Sequence, residues 1–166
     1  MKQVEQILAV RDAGNVERCH TIPHHGEYSN AKHCYGAVSL VLLLHPNPSM
    51  DLIRAIQFHD VAEYWLGDMP SPGKRAMPDA YAMYKKYEAA KLVDVLGDWP
   101  ELTPEDELWF KAADQIDFLL WAMDQYSMGN QKVLTALKNV QAVIGKMELP
   151  LELRLFWESW RNSAGL

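Results

Sequence analysis

Cysteine is scarce in this sequence, and there is no excess of basic charge. Cys19 and Cys34 are the only cysteines. Their spacing suits neither a zinc ribbon nor a redox pair, so free thiols in a reducing compartment are expected. Sixteen lysines and arginines stand against 22 aspartates and glutamates, a formal net charge of -6. That balance disfavours a long nucleic acid as partner, although a small anion can still be held in a locally basic pocket. Long apolar runs are also missing. The longest largely apolar stretch, Ala37 to Leu44, is far too short to span a bilayer, so no membrane partner is expected. Met1 to Gln6 has no basic segment leading into an apolar one, so no leader is expected and the expected location is cytoplasmic. What the chain does have is apolar content, 49% of 166 residues, enough for one sizeable core and a single domain over 1–166.

Hydrophobic spacing is helical nearly throughout, and the punctuation consists of helix caps rather than hairpin turns, so the spacing predicts an all-α bundle of about seven helices. Val4, Ile7 and Leu8 mark a first helix that stops at Gly14. A polar loop from Asn15 to Tyr28 follows, and a second helix runs from about Ala31 to Leu44. Ser49 is placed to cap a third helix, which reaches Gly67. Pro70, Pro72 and Pro78 predict an open loop, and Asp79 a cap for the helix ending near Leu96. Thr103-Pro104-Glu105-Asp106 combines a cap, a proline at the first helical position and acids near the positive end of the dipole. That helix stops at Gly129. Two more are predicted, from Asn130 to about Met147 and from Pro150 to about Asn162.

The densest chemistry lies in His59-Asp60-Val61-Ala62-Glu63-Tyr64-Trp65-Leu66-Gly67-Asp68-Met69-Pro70. On a helix His59 and Glu63 are one turn apart, and His59 and Asp60 diverge by only about 100° around the axis. All three can border one metal-centred pocket. His33 offers a further nitrogen ligand. Asp114 offers a further carboxylate, on a helix face whose apolar neighbours Phe110, Ala113 and Ile116 make an unpaired charge costly. Two imidazoles with two carboxylates suit Zn, Mn, Co or Fe better than Ca or an all-oxygen Mg site. Asp117 shares that face and is expected to play a supporting or structural part. The tryptophans and the tyrosines 81, 84 and 87 are expected in the core or at a subunit interface, with Tyr84 the one placed to cover a base.

The ordered set His33, His59-Asp60, Asp114 resembles the H…HD…D signature of the HD-domain metal-dependent phosphohydrolases, from about Arg18 to Asn130. The Gly67-Asp68-Met69-Pro70 turn and Lys111-Ala112-Ala113-Asp114 narrow the likeness to the YfbR-type 5'-deoxynucleotidases and the short phage DatZ-type triphosphohydrolases. The resemblance implies a compact HD-domain helical bundle holding one divalent metal on His33, His59, Asp60 and Asp114. It further implies Glu63 and Asp68 as catalytic carboxylates, Arg18 as phosphate binder and a homo-oligomer, a dimer or a hexamer. A phage-encoded chain would act in the host cytoplasm.

Two positions depart from that pattern. Lys32 replaces an acid before the first histidine, and Cys19 replaces an aromatic residue after the arginine. Lys32 and Lys74 are therefore candidates for further phosphate contacts, and His20 or Ile22 for the base or sugar contact. On these features the expected substrate is a deoxynucleoside triphosphate, with dATP preferred and additional Mg possible on the triphosphate. The alternatives are a 5'-deoxynucleotidase acting on monophosphates and a non-catalytic nucleotide sensor. Glu63 and Asp68 weigh against the sensor, because binding alone needs no water-activating pair.

Overall fold

The computed structural model describes residues 3–163. Met1 and Lys2, part of the N-terminal stretch read above, and residues 164–166 lie outside them. The elements are α1 (Gln3–Ala13), α2 (Asn30–Leu44), α3 (Met50–Phe58), α4 (Glu63–Leu66), α5 (Ser71–Ala76), α6 (Pro78–Leu96), α7 (Pro104–Ser127), α8 (Leu134–Ile144) and α9 (Leu151–Ser163), with a 3₁₀ turn at Gln131–Val133 before α8. No strand and no helix long and apolar enough to cross a membrane occurs among the described residues.

Capping explains where the long helices start. The Ser29, Ser49 and Thr103 side chains accept from the backbone N–H of Lys32, Leu52 and Asp106, three residues on, and each satisfies a donor that the helix leaves free. Gly97 and Gly129, at φ 76° and 88°, end α6 and α7 in the left-handed region that a side chain disfavours.

α7 is the axis of the bundle. α2, α3, α8 and α9 pack around it, and Trp109, Ile116 and Leu119 on α7 bury against Val41, Leu52, Ile56, Val140, Ile144 and Leu153. Full burial of each such aliphatic side chain contributes about 1.5–3 kcal/mol. A smaller cluster of Ala13, Val61, Ala62, Leu92 and Val95 ties α1 and α6 to the segment after α3.

Three expectations change. The third helix is not continuous to Gly67: α3 ends at Phe58, and Val61, Glu63, Tyr64 and Trp65 each donate three residues back, to Phe58, Asp60, Val61 and Ala62. The proline-rich stretch is not open, because Pro72 sits in the first turn of the short helix α5 and Pro78 begins α6, positions where a missing N–H costs nothing. Asp79 accordingly lies in the first turn of α6 rather than at its cap. The break after Phe58 and the added α5 turn about seven helices into nine α-helices among the described residues. α1 forms as predicted, yet Val4, Ile7 and Leu8 are 68%, 60% and 49% exposed, so its apolar stripe faces outward rather than into the core.

Candidate active site

Tighter winding after Phe58 shapes the site. With three residues per turn, positions three apart eclipse, so Asp60 and Glu63 stand one above the other at the foot of the turn. Across from them, α2 brings His33 and the middle of α7 brings Asp114. The two imidazole Nε2 atoms and the two carboxylates converge: His33 Nε2 lies 3.0 Å from Asp114 Oδ1, and His59 Nε2 lies 3.0 Å from Asp60 Oδ2 and 3.7 Å from Asp114 Oδ1. His33 Nε2 and Asp60 Oδ2 are 4.0 Å apart.

The far side of each ring is already committed. His33 Nδ1 donates to Asp117 Oδ2 at 2.7 Å, and His59 Nδ1 donates to the Ile56 carbonyl at 2.8 Å. With each Nδ1 so engaged, each Nε2 faces the cluster, the ring orientation that metal-binding histidines adopt. Asp117 also accepts from the Tyr28 hydroxyl at 2.9 Å, and Gln115 Nε2 donates to Asp114 Oδ2 at 2.8 Å. His33, His59 and Asp60 can present one ligand atom each within 4.8 Å of one another, with Asp114 beside both rings. The donor set and its outer partners fit one divalent transition ion.

Beside this cluster Glu63 is 3% exposed, and burial, with the charge of Asp60 adding to it, pushes its carboxyl up to about 7. Asn30 Nδ2 donates to Glu63 Oε2 at 2.9 Å. Burial opposes ionisation of Asp60, but the charges of His59 and Arg18 outweigh it and hold that carboxyl well below the usual range. Arg18 pairs with Asp60, reaches Asn30 Oδ1 at 3.3 Å and lies over the Tyr28 ring. Its Nε is buried without a partner.

Asp68 accepts from the Cys19 backbone N–H at 3.3 Å, which joins the Gly-Asp turn to the Arg18 loop. Cys19 itself holds a left-handed φ of 54°, and burial pushes its thiol up to about 12. The other substrate candidates lie farther out. His20 is exposed and Ile22 half-buried on the same loop. Lys32 is exposed, with its amine on the Glu27 carbonyl at 3.5 Å. The half-buried Lys74 amine lies over the Tyr81 ring at 5.6 Å. Tyr84 is buried, and its hydroxyl donates to the Gly67 carbonyl at 2.8 Å; it pins the turn instead of lying open to a base.

Several residues of this site were not legible as such in the sequence. Asn30 and Gly36 each lie three residues from His33, on its helix face, and that spacing was the available signal. Gln125 forms a two-point clamp on the loop, accepting from His25 N–H at 2.8 Å and donating to the His25 carbonyl at 2.9 Å.

At Gly36 an added Cβ would fall 1.8 Å from Asp117 Oδ1, and Asp117 cannot yield without leaving His33. Gly36→Ala is therefore expected to weaken metal binding about 10- to 100-fold, the usual cost of losing an outer partner of a ligating histidine. Metal titration monitored alongside far-UV circular dichroism checks this. Unchanged affinity would show that Asp117 does not govern the ring.

Comparison with known proteins agrees with the fold. A protein of Pyrococcus horikoshii OT3 superimposes over 98% of both chains with a TM-score of 0.75 at 21% identity. The cyanophage S-2L HD phosphohydrolase DatZ, solved with dA and one catalytic Zn2+ ion, superimposes over 98% of this chain and 96% of its own with a TM-score of 0.66 at 16% identity. In sequence, a 5'-deoxynucleotidase of Vibrio parahaemolyticus is 29% identical over 70% of this chain and 66% of its own length. One of Vibrio vulnificus is 30% identical over 56% and 55%. The match thus spans less than two thirds of these relatives. The family model for YfbR-like 5'-deoxynucleotidases, however, covers residues 15–164, the Arg18 loop, the His-Asp turn and all of α7 included, and on that match this chain belongs to the YfbR-like 5'-deoxynucleotidase family.

Proposed function

We propose that the protein hydrolyses the 5'-phosphate ester of deoxynucleoside monophosphates, giving a deoxynucleoside and orthophosphate. The observation that carries this reading is the juxtaposition of a two-histidine, two-aspartate cluster with a buried carboxyl held near neutrality at Glu63. A divalent ion of the Zn, Mn, Co or Fe kind, held by His33, His59, Asp60 and Asp114, would supply Lewis acidity that acidifies water and polarises a phosphate oxygen. Glu63 takes the proton from the attacking water, a role suited to a carboxyl whose affinity for protons matches the working pH. Arg18 brings its guanidinium beside the cluster, where its exposed edge can meet a phosphate oxygen. Asp68 holds the Arg18 loop against the Gly67 turn.

The placement of the cations supports a single phosphate. Arg18 is already paired with Asp60, and Lys32 is engaged on the outer surface of the loop, which suits one phosphate better than three. A second reading, a triphosphohydrolase acting on dATP with additional Mg, draws support from Lys74, whose charge reaches the Cys19 thiol. The full-length likeness to the phage enzyme fold supports it too. Incubation with deoxynucleoside mono- and triphosphates and Mn, Co, Zn or Mg separates the two. Orthophosphate from monophosphates, with triphosphates left intact, is expected. Inorganic triphosphate released from dATP would replace the first reading with the second.

A further inference from the structure

Asn30 stands at the first position of α2, directly after its Ser29 cap, and is 3% exposed. A buried amide has to match its partners at both ends. Here the two ends meet groups of opposite charge. The Nδ2 end donates to Glu63 Oε2 at 2.9 Å and to the Asp60 carbonyl at 3.3 Å. The Oδ1 end accepts from Arg18 Nη1 at 3.3 Å. Only this orientation satisfies the carboxylate and the guanidinium together. The backbone fixes the amide in turn, since Asn30 N–H donates to the Val16 carbonyl at 2.9 Å, and Val16 begins the strand-like approach to Arg18 that closes with the Glu17–Ser29 bridge.

We propose that Asn30 is a positioning residue, which sets the distance between Glu63 and Arg18 through the two ends of one side chain. The inference rests on Glu63 acting as the base. A carboxylate free to turn toward the Arg18 guanidinium would form an ion pair and leave the site of proton transfer. Asn30 stands between the two and gives each a neutral partner. A base misplaced by about 1 Å loses about a hundredfold in rate, so one hydrogen bond at this point has a large effect on turnover.

The test is a double-mutant cycle in the metal-loaded protein, with a deoxynucleoside monophosphate as substrate. Asn30→Asp keeps an acceptor for Arg18 and removes the donor to Glu63. It is expected to lower kcat about 10- to 100-fold, with KM and bound metal little changed. In the Glu63→Gln background the same change should cost less than about twofold, because the residue through which Asn30 acts is already disabled. Asn30→Ala, which adds no charge, repeats the cycle and should also raise KM, since Arg18 loses one of its two acceptors and keeps only Asp60. An equal loss in both backgrounds, or loss of metal or melting temperature that accounts for the whole effect, overturns the proposal. Failure of the Glu63 reading would show separately, as near wild-type turnover of Glu63→Gln alone.

Discussion

His59→Ala and Asp114→Ala are each expected to yield a folded protein that does not retain a stoichiometric divalent ion and turns over substrate about a thousandfold more slowly or worse. The two residues come from different elements, His59 from the end of α3 and Asp114 from the middle of α7, yet His59 Nε2 approaches Asp114 Oδ1 to 3.7 Å and Asp60 Oδ2 to 3.0 Å. Removing either leaves three donors and a gap in the coordination shell. Folding should survive, because the core that holds α3 to α7 is made by Leu52, Ile56, Trp109 and Ile116, all at most 2% exposed, and none of these is altered. Metal analysis after dialysis, paired with turnover under saturating metal, reads both effects. Full metal retention in both variants would remove these residues from the ligand set.

Glu63→Gln should separate binding from chemistry. Glutamine preserves the shape and can still accept from Asn30 Nδ2, but it cannot take a proton, so a loss of about a hundredfold or more in kcat is expected with metal content unchanged. The carboxyl is distinguished from its neighbours by its surroundings. Burial, and then the charge of Asp60, push it up to about 7, whereas Asp60, flanked by His59 and Arg18, stays ionised. Two carboxyls three residues apart are thereby given different protonation behaviour, the pattern by which an acid–base group is told from a ligand. Near wild-type turnover in Glu63→Gln would move the base role to Asp68, the other carboxylate of this turn, whose charge reaches Glu63.

The helical architecture was legible because apolar spacing and caps agree along most of the chain. Ser49 and Thr103 do what their sequence context indicates. The break after Phe58 was not legible, since every residue from His59 to Leu66 tolerates a helix. The switch to tighter winding answers to packing, with Val61 and Ala62 buried against α6. Periodicity likewise placed α1 and could not say that its apolar stripe would face outward, because the stripe alone does not name what covers it. In the site, the four candidate ligands were visible as residue types that are costly to bury. Asn30, Gly36, Gln115 and Gln125 were not, because amides and glycine are ordinary in a helical protein until their partners are known.

Gly36 carries a consequence for anyone optimising this sequence. It sits inside α2, where backbone preference alone would favour alanine by about 1 kcal/mol, so a replacement chosen on helix propensity alone would fall on this position. The gain would come from the chain's own backbone preference, and the loss would fall on Asp117, which shares that space. Helix propensity and the placement of Asp117 are therefore opposed at this one position. The glycine marks where the helix has given up intrinsic stability to let a carboxylate from another helix approach its backbone.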